Sequence, residues 1–247
     1  MQRRAIRSPV AILITLAAMS VVAGACSSST APGDRPEGSR ATPAASQEPA
    51  SPRVDGVVAT ARPRIVVLGD SLTAGYGLAV SQSYPALLQD RLDRAGYTFE
   101  VVNMGVSGDT SAGGVRRVDW ALEGDARILI LALGGNDGLR GLAPSALQSN
   151  LGAIIDRARV KGAAVLLCGV EAPPNFGQSY TEAFRQVYRA LARQKKVEFL
   201  PFLLDGVAGV PSLNQADGIH PNAAGARRVA DLVWQGLEPM LKAAARS

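Results

Sequence analysis

The segment Ile65-Val-Val-Leu-Gly-Asp-Ser-Leu-Thr73 decides how the rest of the chain is read. Ile65 to Leu68 form a short apolar run of strand length. The run stops at Gly69, which leaves Asp70 and Ser71 at its tip, where a reactive side chain can stand. A serine hydroxyl becomes a nucleophile only when a neighbouring base takes its proton. The chain holds a single histidine, His220, within Asp217-Gly-Ile-His220-Pro221. Any serine chemistry therefore has one candidate imidazole base.

From Arg64 onward, strand-like and helical patterns alternate. Ser83-Tyr84-Pro85 reads as an N-terminal cap with proline in the first turn, opening a helix through Leu87, Leu88 and Leu92 that stops at Gly96. Further strands are expected at Phe99–Asn103, Arg127–Leu133, Ala163–Gly169 and Val197–Pro201. Helices are expected over Thr110–Leu122, weakened by Gly113-Gly114, and over Pro144–Lys161, Tyr180–Lys195 and Asn222–Leu241. The run R-I-L-I-L-A-L at 127–133 is apolar almost throughout, as a central strand covered on both faces must be. Alternating β and α units predict an α/β domain whose parallel sheet of about five strands carries helices on both faces.

Residues 1–63 read differently. Arg3, Arg4 and Arg7 precede an apolar run, Val10 to Val22, too short to span a bilayer but suited to a secretory signal. Val22-Ala-Gly-Ala-Cys26 resembles the bacterial lipoprotein cleavage box, so residues 1–25 are expected to be a signal peptide and Cys26 a lipidation site. Residues 26–63, rich in Ser, Ala, Thr and Pro with no hydrophobic periodicity, are expected to be a disordered tether to a domain at 64–247. The protein is thus expected to be exported and lipid-anchored to the cell envelope, facing the periplasm or the exterior. Without residues 1–25 the net charge falls from +5 to +2, and no basic run is interleaved with aromatics, so nucleic acid is not an expected partner. With Cys26 acylated, Cys168 has no partner for a disulfide; set in Val165-Leu-Leu-Cys168, it reads as a small buried hydrophobe.

In parallel α/β sheets the site lies at the carboxyl ends of the strands. Three polar, glycine-containing loops follow the first three strands: Gly69 to Leu72, Gly105 to Thr110 and Gly134 to Asp137. Asp217 and His220 follow the fifth and should reach the same edge. Ser71 would be the nucleophile, His220 the general base and then acid, and Asp217 the carboxylate that fixes its tautomer. Backbone N–H groups of Ser71 and Gly108, with the Asn136 amide, would receive the oxyanion. Asp70, Asp109 and Asp137 are read as structural, bonding loop N–H groups, and Trp120 and Trp234 as packing residues.

Gly-Asp-Ser-Leu, Ser-Gly-Asp-Thr, Gly-Gly-Asn-Asp and Asp-Gly-Ile-His-Pro, in that order, resemble the SGNH (GDSL) hydrolase family and its multifunctional thioesterase I, lysophospholipase and arylesterase branch. The similarity runs from about Arg64 to Leu241. It implies a three-layer α/β/α, flavodoxin-like fold and a cofactor-free, metal-independent esterase acting on acyl esters, thioesters or lysophospholipids. It assigns Ser71, Gly108 and Asn136 to the nucleophile and oxyanion hole, assigns Asp217 and His220 to the triad, and implies a loop from Gly138 to Ala143 that moves as acyl chains bind. A monomer is expected, with a membrane as partner through the N-terminal anchor. An α/β-hydrolase lacks support, because Thr73 stands where G-x-S-x-G needs its second glycine. A metal-dependent hydrolase fits poorly with one histidine and one remaining cysteine. The alternatives are a short-chain or carbohydrate O-acetyl esterase of the envelope and a binding lipoprotein without activity.

Overall fold

A computed structural model describes residues 62–244. The signal peptide, Cys26 and nearly all of the tether lie outside the described residues. The described chain holds five parallel strands: β1 (Arg64–Gly69), β2 (Glu100–Gly105), β3 (Ala126–Ala132), β4 (Ala164–Cys168) and β5 (Glu198–Leu200). They lie side by side in the order β2-β1-β3-β4-β5, the flavodoxin-like arrangement. Strand contacts begin just before β1: the Pro63 carbonyl accepts from Glu100 N–H at 2.9 Å, and Arg62 donates to the Phe99 carbonyl.

Alternation along the strands sorts the core into two layers. Val66, Leu68, Leu129, Leu131, Val165 and Leu167 face one side of the sheet. There they meet α3 (Ser111–Ala121), α5 (Pro144–Val160) and α6 (Gln178–Lys195) through Val118, Leu151, Ile154, Phe184 and Tyr188. Ile65, Val67, Ile128, Ile130, Leu166 and Cys168 face the other side. They pack on α2 (Tyr84–Arg94) and α7 (Ala223–Ala244) through Leu88, Leu92, Val229, Val233 and Leu237. Both faces of β1 and β3 are therefore covered, which explains their uninterrupted apolar sequence. The expected strands and helices are found, with ends differing by a few residues.

Two features depart from the sequence reading. Two short helices, α1 (Ser71–Ala74) and α4 (Gly135–Leu139), occupy segments read as loops. Gly113 and Gly114, read as weakening their helix, sit inside α3 because its backbone comes close to neighbouring groups. A Cβ at Gly114 would lie 2.3 Å from Leu133 Cδ1. The two tryptophans, read as core or surface packing, divide between the two: Trp120 is exposed on the surface, whereas Trp234 is buried beside Tyr97 with the Arg91 guanidinium over its ring. Cys168 is a buried free thiol, as expected, and burial pushes it up to about 12.

Candidate active site

Strand β1 lies between β2 and β3, so the loops leaving the carboxyl ends of these three strands emerge together at the point where the strand order reverses. Ser71 is the first residue of α1. The Asp70 side chain caps that helix by accepting the Leu72 N–H at 3.0 Å, so the cap leaves the Ser71 N–H and hydroxyl unused. Gly75, left-handed at φ 76°, ends the helix after four residues.

The long connection after β5 delivers His220 to this hydroxyl: its Nε2 is 2.9 Å from Ser71 Oγ. Its Nδ1 lies 2.6 Å from Asp217 Oδ2, while Asp217 Oδ1 accepts the N–H groups of Ile219 and His220. Gly218, at φ 69°, allows the turn that brings the carboxylate back onto the imidazole. The hydrogen bond from the His220 ring, followed by those two backbone bonds, pulls Asp217 down to about 2. The turn is pinned at its base, where Gln215 N–H donates to the His220 carbonyl and Asn222 Oδ1 accepts the first N–H groups of α7.

The Asn136 amide joins the other loops. It donates to the Asp109 carbonyl at 2.9 Å and lies 3.4 Å from Asp70 Oδ2, touching the residues that flank Gly108 and Ser71. Gly108 stands at φ 80° in a tight turn closed by Asp109 N–H on the Val106 carbonyl. Asp137 accepts both the N–H and the hydroxyl of Ser111, fixing the start of α3. The three loop aspartates thus do bond loop N–H groups and neighbours: Asp109 also accepts the Thr110 N–H. Asp70 is buried, and desolvation, opposed by the Leu72 bond and by His220, raises it to about 6.

Two residues at this edge were not singled out from the sequence. Arg117, on α3, donates to the carbonyls of Gly69 and Met104 at the ends of β1 and β2 and to the Asp109 carboxylate at 2.7 Å. One guanidinium thereby sets the spacing of the Ser71 and Gly108 loops. The ring of Tyr76 lies over His220 with centroids 4.7 Å apart. Arg117 offered one clue, a position eight residues after Asp109 on a helix that must face the sheet; Tyr76 offered none. A narrow apolar crevice lined by Leu72, Leu78, Leu204 and Val229 opens beside Ser71 and His220. Among the described residues, no group of three His, Cys, Asp or Glu is placed to hold a metal, and no helix is long and apolar enough to cross a membrane.

Comparison with known proteins places the chain in a family. The model of the GDSL-like Lipase/Acylhydrolase family matches residues 67–228. The chain belongs to this family. Esterase TesA of Pseudomonas aeruginosa is 50% identical to it over 178 residues, 72% of this chain and 89% of that protein. The thioesterase 1/protease 1/lysophospholipase L1 of Escherichia coli is 38% identical over 184 residues, 74% of this chain and 87% of that protein. Among solved GDSL-like structures, one of TesA superposes with a TM-score of 0.69 at 50% identity, covering 71% of this chain and 98% of its own. The psychrotrophic esterase EstA of a Pseudoalteromonas species, inhibited by monoethylphosphonate, also gives 0.69, at 31% identity, covering 72% and 98%.

Proposed function

We propose that this GDSL-family protein is a serine esterase that hydrolyses acyl ester and thioester bonds through a Ser71 acyl-enzyme. The observation that carries the reading is the unbroken chain from Ser71 Oγ through His220 to Asp217, with contacts of 2.9 and 2.6 Å. Relatives named esterase, arylesterase and thioesterase/lysophospholipase support the substrate class. Ser71 Oγ attacks the acyl carbonyl carbon as its proton passes to His220 Nε2. Asp217 holds Nδ1–H, fixing the tautomer and favouring the imidazolium that forms. The carbonyl oxygen becomes an oxyanion received by the N–H groups of Ser71 and Gly108 and the Asn136 amide. Collapse breaks the bond to the alcohol or thiol, which leaves with the proton from Nε2. Water, deprotonated by the same nitrogen, then attacks the acyl-enzyme and frees the acid and Ser71.

Hydrolysis of p-nitrophenyl esters from acetate to laurate, measured with a chelator present, tests this reading. Ser71→Ala should abolish turnover, and undiminished turnover in that variant would refute it. A chain-length optimum at acetate would instead favour an O-acetyl esterase. Export and anchoring through a lipidated Cys26 are part of the same proposal, supported by the sequence of residues 1–26. Cys26→Ser should move the protein from the membrane fraction to the soluble one; retention there would reject the anchor.

A further inference from the structure

The His220 imidazole is held at both nitrogens, yet a third contact meets its face. Tyr76 lies over that ring, with centroids 4.7 Å apart and planes 40° from parallel. Two bonds fix where the Tyr76 backbone stands. Its N–H donates to the carbonyl of Ser71 itself at 3.0 Å. Its own carbonyl accepts from Gln215 Nε2 at 2.7 Å, and the same amide nitrogen donates to the carbonyl of Pro221, beside the histidine, at 3.0 Å. Gln215 N–H in turn donates to the His220 carbonyl. The backbone at Tyr76 is therefore tied to the nucleophile on one side and to the histidine turn on the other. Gly77 completes the junction: at φ 74° it passes so close to Gln215 that a Cβ there would fall 2.2 Å from Oε1.

Nothing in the packing of the core asks for this arrangement, because Tyr76 is 55% exposed. An exposed aromatic whose backbone is bonded to Ser71 and, through Gln215, to the histidine turn, with its ring tilted against the imidazole, is placed to act on the imidazole. An aromatic face carries negative charge density and attracts a cation within about 6 Å of its centre. During the reaction His220 gains a proton, and the ring above it then meets a cation.

We infer that Tyr76 is a positioning residue: its ring face holds the His220 imidazole in the plane set by Ser71 and Asp217 and favours the protonated imidazole over the neutral one. This rests on the serine-esterase reading for its role in the reaction, though the stacking can be measured without any substrate. The other groups that face His220 are the Asp217 carboxylate on Nδ1, the Ser71 hydroxyl on Nε2, and Asp70 at the tip of β1, whose charge interacts with the imidazole. All three remain in the variants below, so a change in titration reports the ring at position 76.

Because the chain has one histidine, the imidazole proton resonances of the protein, purified without a histidine tag, belong to His220 alone. Their titration by NMR from pH 4 to 9 is the primary readout. Tyr76→Leu should lower the titration midpoint by about half a pH unit, the size of an exposed cation–aromatic contact. Tyr76→Phe keeps the face and should keep the midpoint, while Tyr76→Trp, with a stronger face, should raise it. In ester hydrolysis, Tyr76→Leu should lower kcat more than it raises KM, with the acid limb of the pH profile moving in the same direction as the NMR midpoint. An unchanged midpoint in Tyr76→Leu would overturn the inference, as would Tyr76→Phe behaving like Tyr76→Leu, which would place the effect in the hydroxyl. Loss of all ester hydrolysis in the unsubstituted protein would count against the esterase reading alone, while an unmoved midpoint in an active enzyme would count against Tyr76 alone.

Discussion

Replacing Asp70 by asparagine should make the protein more stable at neutral pH and less active. The native carboxyl is buried and titrates at about 6, against 3.8 in an unfolded chain. A carboxyl whose native value is raised gives stability that is full below the unfolded value and is lost as pH climbs through the native one. Between pH 3.8 and 6 the native state keeps a proton that the unfolded chain has released, so stability falls with rising pH across that window. At 1.36 kcal/mol per unit, the loss reaches about 3 kcal/mol once the pH exceeds 6. Asparagine carries no charge at any pH, and its Oδ1 still accepts the Leu72 N–H, for which asparagine and aspartate are equally suited, while its NH2 replaces the oxygen that takes a long, weak 3.4 Å bond from Asn136. Urea unfolding of both proteins at pH 4, 5, 6, 7 and 8 measures the difference. It should be small at pH 4 and grow to about 2–3 kcal/mol in favour of asparagine at pH 8. A pH-independent difference, or a variant less stable at pH 8, would refute this account of the buried charge. Activity should move the opposite way, because the positive charge arising on His220 loses an anionic neighbour. A gain in stability paired with a loss in rate is expected where a site holds a strained electrostatic arrangement.

Three further substitutions examine how the loops are held and what they donate. Arg117→Met removes the donor to Gly69, Met104 and Asp109 in a pair only 16% and 11% exposed. It should destabilise the protein by about 3 kcal/mol in urea unfolding, and Asp109→Asn added to it should restore part of that loss. A loss below about 1 kcal/mol would show that solvent replaces the guanidinium without difficulty. Asn136→Ala should lower kcat by about 10²–10³ with KM little changed, as removal of an oxyanion donor does. A rise in KM with unaltered kcat would place the amide in ground-state binding instead.

What could be read in the sequence was whatever repeats with a period or breaks one. The strands through Ile65, Arg127 and Ala163 stand out because both faces are buried, and the glycine-rich loops after β1, β2 and β3 because they interrupt apolar runs. The pairing of Asp217 with His220 is local, within one turn, and the reach from His220 to Ser71 followed from there being no other histidine. The helices α1 and α4 were not legible, since four or five residues show no period and depend on contacts such as the Asp70 cap. Gly113-Gly114 looked like a helix breaker because its reason is the nearness of Leu133 and Asp109, which only the packing reveals. Arg117 and Tyr76 were missed for a related cause: the contact that ties Arg117 to the Ser71 loop lies 48 residues away at Gly69, the ring that Tyr76 meets lies at the far end of the domain, and an arginine on a helix or a tyrosine in a loop is unremarkable alone.

Cys168 is the one free thiol of the described residues, sealed in β4. With its proton held to about pH 12, roughly one molecule in 10⁵ carries the thiolate at pH 7. The native thiol is consequently a poor target for glutathione and disulfide-exchange enzymes, and with one cysteine the described domain forms no internal disulfide as it folds. The same silence makes it a clean background for labelling: a cysteine introduced at an exposed site such as Val160 should take a maleimide dye while Cys168 stays unmodified in the native protein.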